Sequence, residues 1–316
     1  MFRHGLIVLV TLLAACRSKP FKVPFVLAGG KEISAQQLND GFVVYRQYCV
    51  QCHGPTGNGK GVASSGLRPP PRNFQAALFK FAGVPSGQLP TDEALYRTLE
   101  RGLHGTPMLP WDISESDRRA VIQYLKTFKP PESLKSRWQE EEPGIAVEIS
   151  PDPWQLASAT DHAIERGKRI YHLSVGGAGC ALCHPGYLTH QELSQLSQQA
   201  NGEKMTEFPK EMYRSQLHSS DYEVQILPPD FLFHKVKTAY PVGTRIHGKV
   251  YTAEEQRTDL YRTLAAGIGG AAMPQWKGSL PEEDLWALVY YVQSLIEIRD
   301  TPAAMALRQR LGAQKD

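Results

Sequence analysis

The apolar positions of this chain fall mainly at helical spacing. Behind Ser34, a residue suited to an N-cap, Leu38, Phe42, Tyr45 and Tyr48 line one face and predict a helix over Ala35 to Tyr48. Asp92 to Arg101 predicts a second helix that Gly102 can close, and Ser116 to Phe128 a third, with Val121, Tyr124, Leu125 and Phe128 on one side. The same pattern predicts helices over Asp161 to Leu173, Ala253 to Ala266 and Pro281 to Ile298, the last with Leu285, Leu288, Val292 and Leu295 as its stripe. Strand-like alternation is scarce, so a mostly α fold is expected.

The chain also repeats itself. Leu95-Tyr96-Arg97-Thr98-Leu99 recurs as Leu260-Tyr261-Arg262-Thr263-Leu264, and the same shift carries Gly102 onto Gly267, Gly105 onto Gly270, Met108 onto Met273 and Trp111 onto Trp276. Upstream, Pro69-Pro70-Pro71-Arg72-Asn73-Phe74 has a weaker echo in Pro228-Pro229-Asp230-Phe231. Two copies of one unit are the economical organisation, the first at 36–131 and the second at 154–300. Residues 132–153, rich in Pro and Glu, are expected to be a linker long enough for the copies to reorient. A polar insertion at about 189–221 lengthens the second copy; it is expected as a solvated loop, with a lobe over the second site or a partner surface as alternatives. Residues 301–316 are left as a C-terminal tail.

Length and composition change this picture little: 316 residues, 41% hydrophobic and 21% charged, suit two globular units. A formal net charge of +3, with Lys and Arg interspersed among Asp and Glu, gives no nucleic-acid footprint. The N-terminus adds more. Arg3 and His4 precede an apolar run, Gly5 to Ala15, that is long enough for a signal peptide and well short of the roughly 20 residues of a membrane span. Leu13-Ala14-Ala15-Cys16 resembles a bacterial lipobox, which implies cleavage after residue 15 and lipidation of Cys16, with 16–35 as a tether. The expected location is outside the cytoplasm, lipid-anchored to a membrane and facing the periplasm or cell exterior.

The remaining four of the five cysteines lie in two CxxCH runs, Cys49-Val50-Gln51-Cys52-His53 and Cys180-Ala181-Leu182-Cys183-His184. This is the attachment pattern of a c-type haem: two intervening residues let one turn present both sulfurs to one porphyrin edge, and the histidine then faces the iron. A shared zinc site needs two CxxC pairs close together, and a thioredoxin-like pair needs a βαβ setting; neither matches a motif that comes once per helical repeat. Two covalently attached haem c groups are therefore expected, with His53 and His184 as axial ligands.

The second axial ligand decides what a haem can do. Met108, in Gly105-Thr106-Pro107-Met108-Leu109-Pro110-Trp111, and Met273, in Gly269-Gly270-Ala271-Ala272-Met273-Pro274-Gln275-Trp276, hold matched places in loops rich in Gly or Pro. A thioether ligand raises the potential and closes the sixth position, which suits electron transfer. Met205, Met212, His218, His234 and His247 are rivals for the second iron without counterparts in the first copy, while His104, His162 and His190 are expected to be structural or solvent-facing.

On these residues the chain resembles class I cytochromes c. The resemblance rests on Gly41, Tyr45 and Cys49 at i, i+4 and i+8 with Tyr124 as aromatic partner, repeated by Gly167, Tyr171 and Tyr291. Cys180 departs from it, arriving five residues late, with Val175 to Gly179 expected as a Gly-rich bulge. The resemblance implies two tandem class I cytochrome c-like helical domains, each wrapped around a covalently bound haem. It also implies a proline carbonyl as acceptor for each proximal imidazole, from Pro69 or Pro70 and from Pro228, and propionate contacts from Trp111 and Trp276. A dihaem chain of this kind resembles the cytochrome subunits that accompany terminal oxidases, quinol-oxidising complexes and periplasmic dehydrogenases. It implies an electron carrier between redox protein partners, not an enzyme. The alternatives are a dihaem peroxidase-like oxidoreductase with one open haem, and a cytochrome subunit of a larger respiratory complex.

Overall fold

A computed structural model describes residues 19–174 and 177–313. Cys16, the segment before it, and Val175 and Gly176 of the expected bulge lie outside the described residues. A short antiparallel pair, β1 (Phe25–Val26) with β2 (Glu32–Ile33), leads into α1 (Ala35–Val44), whose Ser34 hydroxyl accepts from the Gln37 N–H. The helix expected to continue to Tyr48 changes pitch instead: Tyr45–Cys49 forms a π-helical turn, followed by α2 (Val50–His53). Pi turns insert one residue into a helix and often sit at functional sites.

Next come α3 (Asp92–Arg101), capped by Thr91 with Asp92 and Glu93 in its first turn, and α4 (Glu115–Leu125), capped by Ser114. The second copy runs α5 (Thr160–His172), α6 (His190–Asn201), the hairpin β3 (Arg245–Ile246) and β4 (Lys249–Val250), α7 (Ala253–Ala266) and α8 (Glu282–Glu297). A further helix, α9 (Pro302–Gly312), closes the chain. Among the described residues no helix is long and apolar enough to cross a membrane.

Each copy is organised by one helix crossing. At Gly41 an added Cβ would overlap the Ala120 carbonyl oxygen and sit 2.8 Å from the Tyr124 Cβ; at Gly167 it would overlap the Ala287 carbonyl oxygen and sit 2.8 Å from the Tyr291 Cβ. Only glycine lets α1 approach α4, and α5 approach α8, this closely. Around the first crossing Tyr45, Phe74, Leu95, Tyr124 and Phe128 form one core, and around the second Tyr171, Phe231, Tyr261, Leu285 and Tyr291 form another. The Tyr45 and Tyr124 rings lie 5.3 Å apart, the Tyr171 and Tyr291 rings 5.4 Å.

Three regions depart from expectation. Residues 132–153 do not swing free: Trp138 is buried in the first core, Arg137 donates to the Ala77 and Gly87 carbonyls, and the Gly144 and Val147 N–H groups bond to Leu89 and Gly83. Further on, the Ser150 hydroxyl bonds Tyr261 at 2.9 Å in the second core. A buried tryptophan and backbone pairing override the Pro- and Glu-rich composition. The insertion at 189–221 is not a solvated loop throughout, because α6 carries a Thr189–Glu192 capping box and packs Leu193 with Leu173, Leu188 and Met212 into a third small core. The tail becomes α9, which buries Ala304 and Leu311 and holds Asp230 and Glu192 through Arg308 and Arg310.

The two copies pack along a seam with two-fold character. The His104 N–H, before the Met108 loop, donates to the Lys237 carbonyl at 2.8 Å; at the matching place the Gly269 N–H donates to the Lys80 carbonyl at 3.0 Å. Arg101 reaches across to Asp259 at 2.7 Å, and the Tyr240 hydroxyl donates to the Arg101 carbonyl at 2.6 Å.

Candidate haem sites

Both CxxCH motifs sit where the helix crossing delivers them. The Tyr45 hydroxyl donates to the Gly54 carbonyl at 2.6 Å and the Tyr171 hydroxyl to the Pro185 carbonyl at 3.0 Å, each being the residue directly after the motif histidine. The five extra residues of the second copy are absorbed before Cys180. The Ala178 N–H returns to the Ile170 carbonyl, and Gly179 adopts a left-handed conformation that opens a tight turn over Cys180–Leu182.

The histidines are held alike. His53 Nδ1 lies 3.0 Å from the Arg72 carbonyl and stacks on Phe74 with ring centres 4.3 Å apart; His184 Nδ1 lies 3.0 Å from the Pro229 carbonyl and stacks on Phe231 at 5.1 Å. A carbonyl can only accept, so Nδ1 carries the proton and Nε2 keeps its lone pair for a metal. Burial pushes both imidazoles down, against the opposing pull of those carbonyls, and keeps them neutral at pH 7. The acceptors are thus Arg72 and Pro229, not Pro69, Pro70 or Pro228. The register is set by Phe74 and Phe231, each two residues past its acceptor, and a backbone carbonyl requires no proline. The recurring Pro-to-Phe spacing held that signal.

The four motif cysteines are free of disulfides. Burial, reinforced by Cys52, pushes the Cys49 thiol up to about 12, and burial pushes Cys180 to about 12 also. Neutral, half-covered thiols are poor thiolate ligands but remain available for thioether formation. Among the described residues no three His, Cys, Asp or Glu side chains converge to hold a metal ion, so an iron here would need equatorial ligands from a porphyrin.

The Met loops share a backbone frame although their sequences differ. The Leu103 N–H donates to the Met108 carbonyl at 2.7 Å and the Ile268 N–H to the Met273 carbonyl at 3.2 Å; the Trp111 N–H bonds to Leu99 and the Trp276 N–H to Leu264. Gly102 and Gly267, both at positive φ, back directly onto residues 108–110 and 274–275. Met108 and Trp111 pack against the first core, where Trp111 meets Tyr48 edge-on at 5.6 Å, and Trp276 packs against the second.

Most rivals for the second iron are engaged elsewhere. Met205 and Met212 belong to the third core, His234 Nδ1 accepts from the Asp230 N–H, and His247 Nε2 meets the Glu100 carbonyl at 2.7 Å. His218, whose charge would act on His184, keeps a buried Nε2 without a partner among the described residues. Of the other histidines, His162 packs on Trp154 and His190 stacks on Phe208.

Residues 36–125 match the family model described as cytochrome C oxidase, cbb3-type, subunit III. The match lies within the first copy and makes that stretch similar to a cytochrome c domain. That likeness implies a covalently bound haem c and haem-based electron transfer, and the matched stretch runs from α1 to α4 and includes Cys49, Cys52, His53 and Met108. Among solved structures, a chain of the Kuenenia stuttgartiensis reducing HAO-like protein complex is similar, with 29% sequence identity and a TM-score of 0.59, over 81% of this chain and 96% of its own. A likeness of that extent spans both copies. No curated protein matches the chain.

Proposed function

We propose that the chain is a dihaem electron carrier. One haem c is attached at Cys49 and Cys52 with His53 and Met108 as axial ligands, the other at Cys180 and Cys183 with His184 and Met273. The observation that carries this reading is the duplicated frame: imidazole on Phe74 or Phe231, Nδ1 on a carbonyl two residues earlier, and a Met loop closed on the same backbone bonds. When bound, each haem supplies a one-electron iron couple. The chain's part is to fix the imidazole tautomer, close the sixth position with a thioether and keep the iron in a low-dielectric pocket, all of which favour outer-sphere transfer.

The domain boundaries follow: one haem domain over 36–131, a second over 154–300, joined by the strap at 132–153. Because the neighbour comes from a redox protein complex, we place the chain as an electron-transfer subunit docked to a redox partner, with lipidated Cys16 holding it at a membrane. Palmitate labelling that is lost in Cys16→Ser tests the anchor.

Absorption spectra of the haem-loaded protein, with the haem count per chain, test the core of the reading. Two haems, no high-spin signal and a far-red Met-to-iron charge-transfer band whose intensity accounts for both are expected. A band worth one haem that Met273→Ala leaves undiminished, together with a second low-spin haem that becomes high-spin in His218→Ala, assigns the second iron to His218 instead. A high-spin haem that binds cyanide or peroxide makes the chain a peroxidase-like enzyme.

A further inference from the structure

One group of cations has no carboxylate paired with it among the described residues. Arg72, Lys80 and Lys237 meet on the seam between the copies. The Arg72 guanidinium lies 3.8 Å from the centre of the Tyr222 ring and the Lys80 ammonium 4.8 Å from it. Tyr222 is itself fixed, donating to the Gly269 carbonyl at 2.6 Å. Lys237 is close enough to act on both other cations. Burial above all, then Lys237 and Arg72, pushes the Lys80 ammonium down to about 8, and among the described residues no carboxylate counters any of the three. Gathering like charges in a half-buried seam is costly unless an anion joins them.

The seam borders both candidate haem pockets. Lys80 follows Phe79, whose ring stacks on Phe74 at 6.2 Å, and Phe74 in turn covers His53. Lys237 follows Val236, part of the core that holds Phe231 over His184. The Arg72 carbonyl is the acceptor for His53. The two lysines are equivalent by their backbones, since each carbonyl receives the bond from the opposite Met loop.

We infer that Arg72, Lys80 and Lys237 form a shared seat for the propionate carboxylates of the two haems. This rests on the dihaem reading above. A haem bordering this seam brings carboxylates on short arms, the chemistry that three unpaired cations and a tyrosine face lack. The seat ties the electrostatics of one iron to the other, because each lysine belongs to one copy and serves carboxylates from both.

The test is spectroelectrochemistry on the haem-loaded full chain. Lys80→Gln and Lys237→Gln leave the seam's backbone bonds intact, and removing a cation from a propionate stabilises the oxidised iron beside it. Each variant is expected to lower both midpoint potentials and to shift the redox-difference infrared bands of isotope-labelled propionates. Lys80→Arg is expected to restore both, and the remote Lys22→Gln to change neither. A fall confined to the haem of the substituted copy overturns the shared seat. Unmoved potentials and propionate bands overturn the seat altogether and leave the cations for the carboxylates of an acidic partner. The haem count of the unsubstituted protein separates these outcomes from failure of the dihaem reading, which appears there as fewer than two haems per chain.

Discussion

The two copies bring their histidines to the same geometry by different backbone routes. In the first, the helix widens into a π turn and reaches Cys49 directly; in the second, the Ala178 N–H returns to the Ile170 carbonyl before Cys180. Both end with a tyrosine hydroxyl on the carbonyl after the histidine and a phenylalanine against the imidazole. The motif is thus positioned by side chains anchored in the helix crossing, and backbone continuity is free to vary. The copies differ again in how they are held. Lys126, buried in the first, pairs with Asp92 at 2.5 Å, while its counterpart Gln293 takes Arg257 at 3.2 Å and Gln256 at 2.8 Å.

The largest effects test what the copies share. Gly41→Ala and Gly167→Ala each force a methyl into a facing carbonyl, and each is expected to cost about 3 kcal/mol in denaturant unfolding of the haem-loaded protein. A mild effect at Gly167 alone would mean that the second crossing relaxes where the first does not.

Lys126→Ala tests a difference. Burial raises the Asp92 carboxyl, but Lys126 and Gln123 outweigh it and hold it below the ordinary range. Losing the ammonium strands that carboxylate, and a loss of about 3 kcal/mol, located in the first copy by hydrogen exchange, is expected. Gln293→Ala removes one bond from the Arg257 guanidinium, which keeps Asp152 at 3.6 Å, and one to Gln256, and should cost less, about 1.5 kcal/mol.

Acid should act first on the second copy. His172, where the first copy has Arg46, sits between the Lys168 carbonyl and the Tyr187 N–H, and burial pushes it down to about 4. A histidine depressed on folding stabilises fully above its unfolded value and loses that contribution as pH falls toward its folded one. From pH 7 to pH 5 the loss is about 2 kcal/mol on this scale. Melting curves across that range should be flatter in His172→Gln.

The smallest effect is the most discriminating. Tyr45→Phe and Tyr171→Phe each remove one buried hydrogen bond, and matched losses of about 1 kcal/mol are expected. A silent Tyr171→Phe would show that the longer route holds its own turn.

Local sequence was enough for the repeat and for the helices outside the insertion and the tail. Periodicity marks α3 and α7 to the residue, because caps and amphipathic faces are written within a few positions. The CxxCH spacing and the Gly41-to-Tyr45 spacing depend on single helix turns, which sequence encodes directly. Tertiary structure alone decided the rest. Arg72 and Pro229 became the acceptors because a distant phenylalanine sets their register, and any residue offers a carbonyl. The 132–153 strap is fixed by where Trp138 finds a cavity, despite a composition that suggests a free linker. The seam, with its unpaired cations, exists only once two cores are packed together, since no interval along the chain records which loops will meet across it.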